Sequence, residues 1–457
     1  MQERWSGMWG ITKRIRQHLA DPQSQHRKIA QGFLWVSLFV LLGKLAGAAK
    51  EITIAWRYGV SETVDAYVFV FSLVSWPVSI WFSVLTVVLL PLAARLRSDN
   101  PSELPRFRAE LLGLTLLLGL GLGLLVWIAL PALLRSSWLN FSDRALTDAL
   151  SMAGGLAFLV PLGFMISLFS AWLLAAGRHR NTLFEAIPAF ILMMFLLVPP
   201  GLVPEPLLWG TVAGFAFHMA ALAIPVYRYG ELMLPAFTQR SPAWRGFWGS
   251  ISIMALGQVL MSVTNLIDQF FAASLEPGAL SVLSYANRML ALVLGLGATA
   301  VGRATLPVFS EAQMQGAAYT NRLAMHWAAL MFGLGVIGLF AGWIVAPWAV
   351  ALLFERGAFT QKDTQAVAEI FQVCLFQLPF YFPALVLVSA LAVQKRYAWI
   401  TFTAAINVII KMGVMYILVD ILGLKGLLIS TAIMYMTSTL ILFAILKKFN
   451  SFNLNYR

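Results

Sequence analysis

Four basic residues of this 457-residue sequence, Lys44, Lys50, Arg288 and Lys411, lie inside apolar runs long enough to cross a bilayer. A charge at the membrane midplane costs at least about 2.5–3.5 kcal/mol on insertion scales, so each should face a cavity or a partner. In GKLAGAAKEITIAWRYG, Lys44, Gly47 and Lys50 are spaced by three, which lines two ammonium groups along one helical stripe with a glycine between them. That stripe suits an anion. The alternative is that the lysines snorkel to an interface or pair with Glu51. Arg288, in LSYANRMLALVLG, is followed by roughly twenty further residues of its apolar run and should point inward. A guanidinium fork grips a phosphate through two parallel hydrogen bonds, whereas a lysine acts as a movable point charge. Together Lys44, Lys50 and Arg288 match a pyrophosphate; the competing reading for Arg288 is an internal pair with Asp268 or Asp65.

Asp268, in NLIDQF, and Lys411, in INVIIKMG, are equally deep, so each needs a partner. We expect a buried Asp268–Lys411 pair that either bridges two helices structurally or switches during a conformational cycle. Asp268 with Asn407, one turn before Lys411, otherwise resembles a sodium or proton site, and a lysine there would hold the cation position permanently.

Catalytic constellations are missing. No Gly-rich phosphate loop is present, and His18, His26, His179, His218 and His326 are scattered without metal-ligand spacing. The lone cysteine, Cys374, lies in an apolar run and is expected to pack. Asp143 with Asp148 and Glu355 with Asp363 read as ordinary loop charges, which disfavours a membrane glycosyltransferase or polymerase. An ion-coupled exporter of small cationic compounds is disfavoured too, because a cavity rich in Lys and Arg repels cations. No metal and no cofactor are implied.

The elements that must position these groups follow from composition. Hydrophobic residues make up 60% of the chain and charged ones 11%, with a mean hydropathy of +0.79, so lipid is the main solvent and each apolar block should be a helix. Spans are predicted near 30–56, 66–93, 111–134, 148–176, 183–203, 207–227, 247–273, 280–307, 323–353, 366–392, 398–420 and 424–446, an all-α polytopic protein of about twelve helices. Alternate loops hold 22 against 6 of the Lys and Arg residues outside the spans, which puts both termini in the cytoplasm. The net charge of +12 is therefore a topology code and does not imply nucleic-acid binding. The expected organisation is a basic cytoplasmic segment over 1–28, a six-helix lobe over 29–228, a cytoplasmic interlobe linker over 229–246, a second six-helix lobe over 247–448 and a cytoplasmic tail over 449–457. Residues 1–28 are too polar for a cleavable signal and read as an interfacial anchor on membrane lipids. At an offset of about 216, Glu51 falls on Asp268, Ala55 on Ala272 and Pro91 on Pro307, a faint duplication in the sense of parallel repeats.

Three segments carry a resemblance. GKLAGAAKEITIAWRYGVSETVDAYVFVF, LEPGALSVLSYANRMLALVLGLGATAVGRATLPVFSEA and LLFERGAFTQKDTQAVAEIF are similar, in that order, to signatures of the MviN/MurJ lipid flippases of the multidrug, oligosaccharidyl-lipid and polysaccharide exporter superfamily. The resemblance implies two six-helix lobes in a V around a cationic cavity, and alternating access that carries an undecaprenyl-pyrophosphate-linked glycan, lipid II of peptidoglycan synthesis, across the bacterial inner membrane. The family's first-span arginines fall on Lys44 and Lys50, its aspartate before the second span on Asp65, and its eighth-span arginine on Arg288. Asp65, Asp268, Asn407 and Lys411 are then expected in conformational or coupling roles. Driving energy is expected from the membrane potential or from a proton or sodium gradient, and partners among cell-wall or polysaccharide assembly enzymes. Two departures stand out: a basic residue of the family's second span appears here as Val78 or Ser79, and two further spans of many relatives do not follow the twelfth. Both make a surface-polysaccharide or O-antigen unit a rival to lipid II.

Overall fold

The computed structural model of the protein describes residues 25–139, 141–177 and 179–454. Among the described residues it is all helical. The fourteen α-helices are α1 (Gln25–Tyr58), α2 (Glu62–Asp99), α3 (Glu103–Leu134), α4 (Asp143–Leu156), α5 (Leu159–Ala175), α6 (Ile187–Leu197), α7 (Pro206–Arg228), α8 (Ala243–Ala273), α9 (Ala279–Met314), α10 (Ala317–Phe354), α11 (Gln361–Cys374), α12 (Leu378–Val393), α13 (Tyr397–Leu422) and α14 (Leu424–Leu454). Eight rods are long and apolar enough to cross a bilayer, with α11 and α12 joined as one, and α4 with α5 makes a ninth if that bent pair is one span. Hydrocarbon offers no partner for backbone N–H and C=O groups, which is why these blocks close their hydrogen bonds internally.

Several predicted spans are more broken than hydropathy suggests. The run 148–176 bends by 45° between α4 and α5, with Pro161 in the first turn of α5, where its missing N–H costs nothing. The run 183–203 opens as a 3₁₀ segment, His179–Ala186, and is α-helical only to Leu197. Leu375–Gln377 interrupts 366–392. Helix starts follow polar signals: Ser142 accepts from the Ala145 amide at 3.1 Å, and Thr360 with Asp363 forms a reciprocal capping box at α11. Residues 1–24 of the expected cytoplasmic segment lie outside the described residues, and α14 runs on to Leu454, through most of the segment read as a tail.

Helices pack mainly within their own half of the chain, α2 with α5 and α4 in the first and α10 with α12 and α13 with α14 in the second. The main exception among the described residues is α8, which opens the second half yet lies along α2 of the first. Trp76 on α2 donates to Ser262 on α8 at 3.0 Å, and the rings of Phe69 and Phe270 meet edge to face at 5.2 Å. One large apolar cluster, including Phe69, Leu85, Phe107 and Leu159, continues across this seam to Tyr285 and Val350.

Candidate functional site: a cationic seam between two helix groups

Glu51 on α1 organises the seam. Its Oε1 lies 2.8 Å from Lys50 Nζ and 3.1 Å from Arg288 Nε of α9, so one carboxylate from the first half binds a guanidinium from the second. The Glu51 side chain is only 10% exposed, whereas that of Arg288 is 52% exposed. Because the contact uses Nε, the two terminal amino groups of Arg288 stay outside it. Lys44 continues the seam: a Cβ placed on Gly295 would sit 3.6 Å from its Nζ. Arg288 and Gly295 are seven residues apart on α9 and so share a face, which places Lys44 and Arg288 on the same side of α9, toward α1. One carboxylate among three cations leaves two positive charges uncompensated.

The structure thus brings Lys44, Lys50 and Arg288 to one seam and adds Glu51, a residue that sequence reasoning treated only as a lysine's neighbour. The signal was there, because an isolated acid beside a cation in an apolar run needs a second partner as much as the cation does. Arg288 pairs with neither Asp268 nor Asp65.

Asp65 does something different. From the first turns of α2 its carboxylate reaches across to the start of α9, where Oδ2 accepts the Gly278 amide at 2.6 Å and Oδ1 the Ser281 amide at 2.6 Å, along with the Ser281 hydroxyl. One half of the molecule thereby caps a helix of the other, a use of the unpartnered N–H groups of a helix start. Around it, Tyr285 donates to the Gly59 carbonyl at 3.0 Å and the Ala358 amide to the Trp56 carbonyl at 2.8 Å. Gly59 is required here: its φ is +59°, and a Cβ would fall 2.5 Å from the Ala358 carbonyl oxygen. These contacts latch the halves at the end of the bundle where α1 finishes and α2 and α9 begin. Asp65→Ala should loosen this end, so a membrane-impermeant thiol reagent should label Ser61→Cys at least several-fold faster in that background. Equal labelling rates would show that the cap does not hold the latch. Native Cys374 is buried and adds little signal.

Lys411 Nζ lies 2.7 Å from Asp268 Oδ2, joining α13 to α8, and both side chains are largely buried. Asn407 donates to Ser438 of α14 at 3.2 Å, and both Asp268 Oδ1 and Asn407 Oδ1 are buried acceptors without a hydrogen-bond partner. Where the resemblance implies a second-span cation, Val78 packs against Gly163 of α5, and Ser79 turns its hydroxyl to the Trp76 carbonyl at 2.7 Å. Neither replaces the charge. No group of three or more His, Cys, Asp and Glu side chains able to hold a metal occurs among the described residues.

A bundle of long apolar helices, its two halves latched at one end beside a cluster of Lys and Arg side chains, is the architecture of a multi-pass membrane protein. The fold is shared with an inward-facing multidrug resistance MATE family transporter of the MOP superfamily, at a TM-score of 0.72 and 16% identity over 90% of this chain and 94% of that one. It is shared more fully with lipid II flippase MurJ in an inward closed conformation, at a TM-score of 0.79 and 17% identity over 91% and 87%. The sequence model of the family described as "Lipid II flippase MurJ" matches residues 54–455, and the chain belongs to that family. Among relatives, a probable lipid II flippase MurJ of Thermotoga maritima is 25% identical over 87% of this chain and 81% of its own length. The lipid II flippase MurJ of Burkholderia cenocepacia is 22% identical over 92% and 84%. A shorter alignment, at 24% identity, spans 57% of this chain and 50% of a probable lipid II flippase MurJ of Bdellovibrio bacteriovorus. The protein is accordingly a multi-pass transporter of the bacterial inner membrane.

Proposed function

We propose that this chain moves lipid II, an undecaprenyl-pyrophosphate-linked glycan, from the cytoplasmic to the outer face of the inner membrane by alternating access between two six-helix lobes. The reading counts twelve spans: the nine rods above, α1, the 3₁₀ segment with α6, and α9. Both termini are cytoplasmic in it, so the latched end is the outer one and the crevice is reached from inside. The observation that carries it is the shared carboxylate. Glu51 holds Arg288 and Lys50 in place while leaving net positive charge and a free guanidinium fork, and a diphosphate headgroup can take over that charge as it enters. A ligand shifts a conformational equilibrium only by its differential affinity for the two states, and a cluster drawn from both halves offers such a difference.

Lys411 acts in this scheme as a tethered cation between α8 and α13, so export draws on the membrane potential and not on sodium at this locus. The potential, negative inside, favours outward movement of an anion by about 2.3 kcal/mol per unit charge per 100 mV. Replacing sodium by choline in the medium should leave export unchanged, whereas collapsing the potential should lower it.

The test of the main reading is replacement. In a bacterium depleted of its own lipid II flippase, the chain should restore growth and the exposure of lipid II to an externally added probe. Failure to expose lipid II while exposing a lipid-linked surface-polysaccharide unit would establish the second reading, which the uncharged Val78 and Ser79 favour.

A further inference from the structure

The seam and latch use none of the polar groups where α3 begins, although Glu110 there is the most heavily hydrogen-bonded carboxylate among the described residues. It is 1% exposed and makes four hydrogen bonds, all to the stretch that joins the two halves. Its Oε1 accepts the Thr238 hydroxyl at 2.9 Å and the Arg240 amide at 3.0 Å; its Oε2 accepts the Ser241 amide at 3.1 Å and the Trp244 indole N–H at 2.6 Å. Arg106 stands 3.5 Å away on the same helix. A buried carboxylate satisfied this fully is expensive to unpair.

Three further contacts fasten the same stretch. The Ala236 amide donates to the Ala109 carbonyl at 2.9 Å, and Arg108 pairs with Glu231 at 3.3 Å while lying over the Trp172 ring. The backbone passes so close to α3 that a Cβ on Gly113 would lie 2.2 Å from the Ala236 carbonyl oxygen. Beyond it, Trp244 and Phe247 at the start of α8 close on Phe107 at 5.2 and 5.7 Å. A connection of 14 residues without regular structure, between Arg228 and Ala243, would be expected to flex freely between domains. Here it is bonded along its length to one of them.

We propose that Glu110 is a positioning residue of the transport cycle: it fastens residues 229–248 to the N-terminal helix group, so these residues travel with that group and the linker is not the hinge between the lobes. The claim rests on the transport reading, and it leaves the linker no part in the flexing between the lobes.

Two experiments test it in the full-length protein in membranes. In the first, Ala109→Cys and Ala236→Cys are bridged by a short bifunctional thiol reagent in the otherwise native chain. Export should persist at close to the uncrosslinked rate, because these residues stay together throughout the cycle; a block would show that the linker must detach, and would overturn the proposal. In the second, Glu110→Gln should raise tryptic cleavage after the exposed Arg240 by roughly tenfold or more, the factor expected on losing one charge-assisted hydrogen bond. It should also reduce export, and the same thiol bridge should restore it. Unchanged cleavage, undiminished export, or loss of export that the bridge does not rescue each counts against the positioning role. Failure of the transport reading itself looks different, since then the native chain exposes no lipid-linked glycan, while the cleavage result still stands.

Discussion

Arg288→Gln is expected to abolish export of the lipid-linked glycan while leaving the protein inserted and folded. The Arg288 side chain is half exposed and, among the described residues, its ion pair is with Glu51, so its loss removes little packing. What disappears is the fork. Hydrogen bonds to charged groups contribute about 1.5–3 kcal/mol each, which corresponds to roughly ten- to hundredfold in affinity for the headgroup. The glutamine also frees Glu51 to neutralise Lys50 alone, so the crevice loses its guanidinium and keeps its carboxylate. Arg288→Lys should retain part of the activity, since charge survives where bidentate geometry does not. Growth of a flippase-depleted bacterium, with lipid II exposure scored by an external probe, measures both variants. Full export by Arg288→Gln would remove the diphosphate from the mechanism.

The second large effect belongs to Lys411. Lys411→Met leaves Asp268 buried without its partner, and breaking such a pair costs about 3–5 kcal/mol, so a clear fall in thermal stability is expected. The double variant Asp268→Leu with Lys411→Met should recover that stability, because apolar replacements of buried ion pairs are neutral or better. Export should not return with it. Asp268 sits on α8, which lies along α2 of the first half, so its pairing with Lys411 of α13 sets how that seam helix is held as the halves move. Melting curves and export assays on the same preparations separate the two roles, and recovery of both would reduce the pair to a bridge.

Much of this was legible in the sequence because hydrocarbon permits so few structures. Apolar blocks dictated helices, and the cost of burying charge singled out Lys44, Lys50, Arg288, Asp268 and Lys411 before any coordinates. The identity of partners was less legible. Asp65 looked like a mate for Arg288 because both are charged, but its acceptors are backbone amides at the start of α9, and amides leave no trace in a sequence. Glu110 in LPRFRAELLG reads as an ordinary acid just ahead of the span predicted over 111–134, since its partners lie about 130 residues further along the chain. Hydropathy also overlooked the breaks at residues 157–158 and 375–377, because a bent helix and a straight one bury similar side chains. Chain order is likewise silent on a helix's neighbours: α8 opens the second half of the sequence, yet the Trp76–Ser262 and Phe69–Phe270 contacts lay it along α2 of the first.

The cap that Asp65 places on α9 gives an empty carrier somewhere to idle. When the halves separate at that end, the Gly278 and Ser281 amides lose their acceptor and must find water, a penalty that recurs at every unproductive stroke. Slippage without cargo is thereby discouraged, and the stroke becomes worthwhile only when something bound in the crevice offsets the loss.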